Sequence, residues 1–117
     1  MNLELAKQFC RSMPGAVEDV KWAGVIVFSV GLKMFACASG PGEPPTLAFK
    51  VDDERFLELT DRPGIIPAPY LARAKWIQIS RTDAISDGET AQLLQRSYDL
   101  VLARLTQKLQ REILGAK

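Results

Sequence analysis

The sequence predicts an α+β fold, a two-layer sandwich in which an antiparallel β-sheet carries helices packed on one face. Apolar residues recur at helical spacing near both ends of the chain, whereas the segments between them alternate with a period of two. The first of these alternating segments are joined by links of hairpin length, which favours antiparallel pairing over a regular βαβ series. With 117 residues, 47% of them hydrophobic, we expect one core and a single domain over residues 1–117.

Three helices are predicted. The first spans residues 2–13, with Asn2 as its N-cap. The second is short, covering about residues 53–61, and Asp52 is its expected cap. The third begins at the capping box Ser86–Glu89, in which a hydroxyl and a carboxylate satisfy free backbone donors. Its apolar stripe continues for more than four turns and consists of Leu94, Tyr98, Val101, Leu102, Leu105 and Leu109.

Four strands are predicted, over residues 25–30, 33–39, 46–51 and 75–80. In each strand, successive side chains are assigned to opposite faces of the sheet, and a glycine turn joins the first two strands as a hairpin. Residues 62–70, read as RPGIIPAPY, contain three prolines, and we expect them to form a stiff loop.

The alternation divides the sheet into a face beneath the helices and an open face. The face beneath the helices is predicted to carry Ile26, Phe28, Met34, Leu47, Phe49, Ile77 and Ile79. The helices are predicted to supply Phe9, Phe56, Leu102 and Leu105 to the same core. The open face is predicted to collect Lys33, Phe35, Lys50, Trp76 and Gln78, bordered by Trp22 and Tyr70. This places Lys33 with its ammonium in water and its methylenes over apolar neighbours.

Composition excludes several classes of function. The net charge is +1, so bulk electrostatics favour neither nucleic acid nor an anionic membrane, and a charged site must be local. No segment resembles a signal peptide or a membrane span, and Cys10 and Cys37 have no metal-binding spacing. The chain has no histidine and no nucleotide-binding or nucleophile-elbow motif. We therefore expect a cytoplasmic, non-catalytic protein without metal or cofactor, and a monomer is favoured.

Lysines interleaved with aromatic rings on an open sheet are typical of surfaces that bind single-stranded nucleic acid, because rings stack on bases and cations pair with phosphates. Residues 62–81 support this, since they contain four basic residues and no acidic one. The candidate residues are Lys33, Lys50, Arg62, Tyr70, Arg73, Lys75 and Trp76. The alternative is that these side chains only keep the outer sheet face soluble, as in many two-layer domains.

Five segments carry a resemblance to a known family: PGAVED (14–19), GLKMFA (31–36), LAFKVDDERF (47–56), PAPYLARAKWIQI (67–79) and RSYDLVLARL (96–105). In this order and spacing the chain resembles the MmcQ/YjbR family, which is similar in fold to the bacterial frataxin homologue CyaY. The positions that match the family pattern are Lys33, Lys50, Tyr70, Trp76, Ser97 and Tyr98. Members often carry a histidine between the positions of Tyr70 and Trp76, and this chain has none there.

The resemblance implies DNA binding, since the family is usually described as DNA-binding from its likeness to a double-wing module. Frataxin-type iron binding is not implied, because the first helix lacks an acidic ridge and offers only Glu4. The functional prediction is therefore a non-catalytic DNA- or single-strand-binding domain. The alternative is a regulatory domain that binds a protein or a small anion.

Overall fold

The computed structural model describes residues 1–115 as a six-stranded antiparallel sheet with four α-helices. The strands are β1 (Val17–Lys21), β2 (Val25–Val30), β3 (Lys33–Ala38), β4 (Leu47–Lys50), β5 (Ile65–Pro67) and β6 (Trp76–Ile79). The helices are α1 (Leu3–Ser12), α2 (Asp53–Thr60), α3 (Asp87–Leu102) and α4 (Gln107–Gly115). Single 3-10 turns occupy Ala72–Ala74 and Thr82–Ala84. No helix within these residues is long and apolar enough to cross a membrane.

The strand order is β1-β2-β3-β4-β6-β5, and every neighbouring pair is antiparallel. One face of the sheet packs on the helices, with α3 lying across β2, β3 and β4 and α1 lying against α3. This arrangement confirms the predicted α+β sandwich.

Aromatic rings fill the centre of the core. Phe35 meets Tyr98 edge to face, with ring centroids 5.4 Å apart, and lies beside Phe28 at 6.4 Å. The Tyr98 hydroxyl donates a 2.6 Å hydrogen bond to the carbonyl of Pro14. Because a buried hydroxyl is costly without a partner, this bond lets a polar ring close the core.

A β-bulge in β3 reverses two of the predicted faces. Phe28 pairs with Ala36, but the next residue of β2, Ser29, pairs with Met34, so Phe35 is an extra residue opposite no partner. Phe35 therefore turns into the core, where its side chain is fully buried. Met34 faces the other side, with its sulfur 3.8 Å from that of Cys37. The predictions of Phe35 on the open face and Met34 in the core were wrong.

Two strands were not predicted. β1 pairs with β2 at one edge of the sheet, and all of its residues are exposed. β5 lies within the proline-rich segment expected to be a loop and pairs with β6 at the other edge. Both are edge strands, so neither is required to alternate strongly in polarity.

The predicted long C-terminal helix is two helices. α3 ends at Leu102, and α4 begins after Thr106, whose hydroxyl accepts a 3.2 Å hydrogen bond from the Leu109 amide. The apolar stripe nevertheless continues across the break. Leu105 and Leu109 both pack against Gly31, in the turn between β2 and β3.

Of the three predicted caps, Asn2 is confirmed, and the capping box is confirmed only in its hydroxyl half, because the Glu89 carboxylate accepts from Arg62. The Asn2 side chain accepts from the Leu5 amide, and the Ser86 hydroxyl accepts from the Glu89 amide. The Asp52 side chain makes no capping bond at the start of α2. Its carboxylate instead accepts two 2.9 Å hydrogen bonds from the Arg96 guanidinium.

Candidate nucleic-acid interface

The strand registers define which side chains line the open face of the sheet. Residues opposite one another in neighbouring strands project to the same side. One row therefore crosses all six strands and consists of Asp19, Val27, Cys37, Ala48, Gln78 and Ile66. The small side chains Cys37 and Ala48 at its middle leave a trough of about 510 Å³, bordered by Gly24 and the loop at 40–44.

Trp76 lies on this open face but is not available to a ligand. It pairs with Lys50 across β4 and β6 and is outside the core cluster, yet only 4% of its surface is exposed. Stacking on a base requires an exposed ring face. The prediction that Trp76 offers such a face was wrong, because neighbouring residues cover the indole.

Lys33 lies on the other side of the sheet from the one predicted. Its partner in the register is Val30, which is fully buried in the core, so Lys33 projects toward the helix side. The bulge at Phe35 again explains the error, because it shifts the phase of β3 between Lys33 and Ala36. The Lys33 side chain remains exposed because β3 begins there.

Lys50 and Lys75 both contact the polypeptide near the start of β6. The Lys50 ammonium donates to the carbonyl of Ala74. The Lys75 ammonium lies 5.1 Å from the centre of the Phe56 ring, a cation–π contact with α2. Neither ammonium has an acidic partner within the range of an ion pair in the described part of the chain.

Arg62 is engaged in a different way, with carboxylates on the helix side. It donates to both Glu89 oxygens at 2.8 and 2.9 Å, and to Glu58 at 3.2 Å. Hydrogen bonding from Arg62 holds the pKa of the Glu89 carboxyl below its usual range. Arg62 therefore joins α2 to α3. Its guanidinium is occupied by these carboxylates and is not available to an external anion.

Tyr70 and Arg73 lie on the segment that leads into β6. Tyr70 is fully exposed and has a positive φ of 66°, which points to a turn. Arg73 is exposed within the 3-10 turn. Unlike Trp76, Tyr70 presents its whole ring to solvent.

Five cations gather at one end of the sheet. In an antiparallel sheet the start of β3, the end of β4 and the start of β6 lie at the same end. The set, called here the end cluster, consists of Lys33, Lys50, Arg73, Lys75 and Arg104. It extends around both sides of the sheet end and does not form the single flat face that was predicted.

Arg104 is the member of the end cluster that was absent from the predicted site. It follows the last turn of α3 and lines a depression of about 410 Å³ together with Lys50 and the first residues of α2. Only the packing of α3 over β4 brings it near Lys50.

The five cations of the end cluster differ from most of the arginines outside it, because those arginines have acidic partners. Within residues 1–115 the end cluster takes part in no ion pair. The paired arginines lie elsewhere: Arg11 with Glu18, Arg55 with Glu58, Arg62 with Glu58 and Glu89, Arg81 with Asp83, and Arg96 with Asp52. Three acidic residues around the start of α2, Asp52, Asp53 and Glu54, border the same depression and oppose its positive charge, and Asp52 is already paired with Arg96.

Both cysteines are free thiols. Burial raises the pKa of Cys37 to about 11 and that of Cys10 to about 12. Both side chains are therefore protonated at neutral pH and are poor nucleophiles. Among the described residues, no group of three or more His, Cys, Asp or Glu is placed to hold a metal ion.

Comparisons with known proteins agree with the architecture. A family model described as YjbR matches residues 11–100. The chain is similar to a Deinococcus radiodurans protein with a DUF419 domain, at 27% identity and a TM-score of 0.78, over 93% of this chain and 84% of the other. A Pseudomonas syringae protein, 20% identical with a TM-score of 0.70, shares the fold over 86% of this chain and 99% of its own. No curated protein matches the chain.

Proposed function

The chain belongs to the YjbR family, and from that premise we propose that it binds nucleic acid, with the end cluster contacting the phosphate backbone. The observation that carries the proposal is the gathering of five unpaired cations at one end of the sheet, within the residues that the structure describes. Phosphate contacts supply sequence-independent affinity. Ammonium groups suit this role because they act as point charges.

Tyr70 is the aromatic residue of this proposed interface. Its exposed ring lies on the segment that also carries Arg73 and Lys75, so an unpaired base could stack there while the cations hold the adjacent phosphates. The neighbouring β2–β3 turn carries the exposed residues Leu32 and Lys33. If the chain binds DNA as a double-wing module does, this turn is the hairpin tip that would contact the DNA. A cytoplasmic location belongs to the same proposal, since reduced thiols are usual there.

The test measures fluorescence anisotropy of labelled single- and double-stranded oligonucleotides at several salt concentrations. We expect micromolar binding at low salt that weakens steeply as salt rises, because each phosphate contact releases counterions. The double variant Lys33→Gln/Arg73→Gln should weaken binding and reduce the salt slope by about two. Tyr70→Ala should weaken single-strand binding by roughly 1–3 kcal/mol and affect duplex binding less.

The matched control is Lys21→Gln/Arg81→Gln. It removes the same number of charges from exposed positions at the opposite end of the sheet. We expect it to leave affinity nearly unchanged. Equal losses in the two double variants, or no binding by the wild-type protein at low salt, would rule out the end cluster as a nucleic-acid site.

The small-anion alternative has a specific observation in its favour, the depression shared by Lys50 and Arg104. An anion bound only by the native protein raises its melting temperature. Pyrophosphate that raises the melting temperature of the wild-type protein but not of Arg104→Gln, without any oligonucleotide binding, would favour this alternative.

A further inference from the structure

We propose that two copies of this chain associate through β1, so that the two sheets join edge to edge. β1 is an edge strand whose outer side has no partner strand in the described fold. Its side chains are exposed, including 61% of Val17 and 64% of Val20. An open strand edge of this kind is a template for pairing with another strand.

The backbone groups available for pairing are those of Glu18 and Val20. The Gly24 amide donates to the Lys21 carbonyl across the hairpin turn, so the backbone of Lys21 faces β2. The direction of the backbone N–H and C=O groups alternates from residue to residue along a strand. The backbone groups of Asp19 therefore also face β2, whereas those of Glu18 and Val20 face outward. The Val20 amide accordingly donates to the Asp19 carboxylate at 2.8 Å and not to β2.

Charge selects the register of a symmetric pair. A two-fold axis perpendicular to the sheet places one residue of β1 opposite its own copy. An axis at Glu18 or at Asp19 would set two identical carboxylates against each other, which is unfavourable. An axis at Val20 instead places Val20 against Val20 and sets Asp19 of each copy opposite Lys21 of the other.

This register pairs the backbone groups of Val20 and satisfies the charges. Asp19 and Lys21 project to the same face of the sheet, since their partners Val27 and Val25 are alternate residues of β2. On pairing, the Asp19 carboxylate binds Lys21 of the other copy and releases the Val20 amide of its own chain. That amide then donates to the Val20 carbonyl of the other copy. Glu18 keeps its ion pair with Arg11. Because the paired strand is short, we expect a weak dimer that forms at high protein concentration.

The test is sedimentation equilibrium of the full chain over a wide range of concentration. We expect the wild-type mass to rise toward twice that of the monomer. Asp19→Lys and Lys21→Asp should each remain monomeric, because each sets like charges opposite one another twice. The double variant Asp19→Lys/Lys21→Asp should regain the dimer, as should an equimolar mixture of the two single variants. Circular dichroism should show every variant folded, since both positions are exposed.

A wild-type chain that stays monomeric throughout would overturn the proposal and would leave Asp19 as a residue that blocks the edge. A dimer that persists unchanged in both single variants would also overturn it, because that dimer must use another surface. Failure of the mixed single variants to associate would exclude this register.

Discussion

At the scale of single residues, Ser97 stabilises the bulge that reverses the faces of β3. Its hydroxyl, fully buried, donates to the Phe35 carbonyl at 2.7 Å and accepts from the Lys50 amide at 3.0 Å. The bulge could not be predicted from the sequence, because the five residues after Lys33 are all apolar. In an unbroken apolar run, polarity does not indicate which residues face the core and which face the other side. Where alternation was clear, as in β4 and β6, the buried residues Phe49, Ile77 and Ile79 were predicted correctly.

Replacing Ser97 by alanine should destabilise the protein by about 2–3 kcal/mol, because it leaves a buried carbonyl and a partly buried amide without partners. The measurement is the free energy of unfolding from urea denaturation. Ser12→Ala is the matched control, since the Ser12 hydroxyl also donates to a carbonyl, that of Phe9, but at an exposed site. Equal losses in the two variants would show that the Ser97 bridge has no special role.

At the scale of elements, the sequence predicted those that bury an apolar face and missed those that do not. α1, α2 and the four inner strands were found because their apolar spacing reflects contact with the core. β1 carries two adjacent acidic residues and contributes nothing to that core, so its sequence lacks a strand pattern. α3 and α4 were merged, because Leu105 and Leu109 keep the helical spacing across a turn.

The turn between β2 and β3 is where the second of these helices meets the sheet, and Gly31 is required there. Its φ is +55°, and a Cβ would lie 2.5 Å from a Leu105 methyl and 3.2 Å from a Leu109 methyl. Gly31→Ala should therefore cost about 2–4 kcal/mol of unfolding free energy, from backbone strain plus overpacking.

Gly42→Ala separates the two causes. Gly42 also has a positive φ, +84°, but a Cβ there would meet nothing within 4 Å. We expect this variant to lose only the strain contribution, about 1–2 kcal/mol. If thermal or urea unfolding shows the two variants equally destabilised, the contact of Leu105 and Leu109 with the turn is not a significant constraint.

At the scale of the whole molecule, a net charge of +1 conceals an uneven distribution of charge. Most arginines are neutralised by carboxylates, whereas the end cluster is not. The sequence identified Lys33, Lys50, Arg73 and Lys75 as members of one site but assigned them to the wrong surface. Arg62 looked equivalent to them, and only the folded chain brings Glu89 to it from 27 residues away.

The ion pair of Arg62 with Glu89 should make stability depend on pH. The pKa of Glu89 is lowered in the folded state, so the pair stabilises the protein above the unfolded-state pKa, about 4.3. That contribution is lost as pH falls through the folded-state value. Arg62→Gln should lower the unfolding free energy by about 0.5–1 kcal/mol at pH 7, a modest value because solvent screens the pair.

The difference between wild type and Arg62→Gln should shrink as urea unfolding is repeated from pH 5 down to about pH 3. Arg81→Gln serves as the control, since its pair with Asp83 is open to solvent on both sides, and it should change stability little at any pH. A difference that stays constant with pH would mean that Arg62 acts through packing and not through the charge of Glu89.

The two margins of the sheet are unequal. β5 contributes only three residues, and its last one, Pro67, has no amide hydrogen to donate. Growth of the sheet by further strands is thus hindered on that side, and β1 is the margin that remains open. Edge-to-edge joining at β1 would consume that margin in both molecules at once, so the assembly would terminate at a closed pair and would not propagate into fibrils.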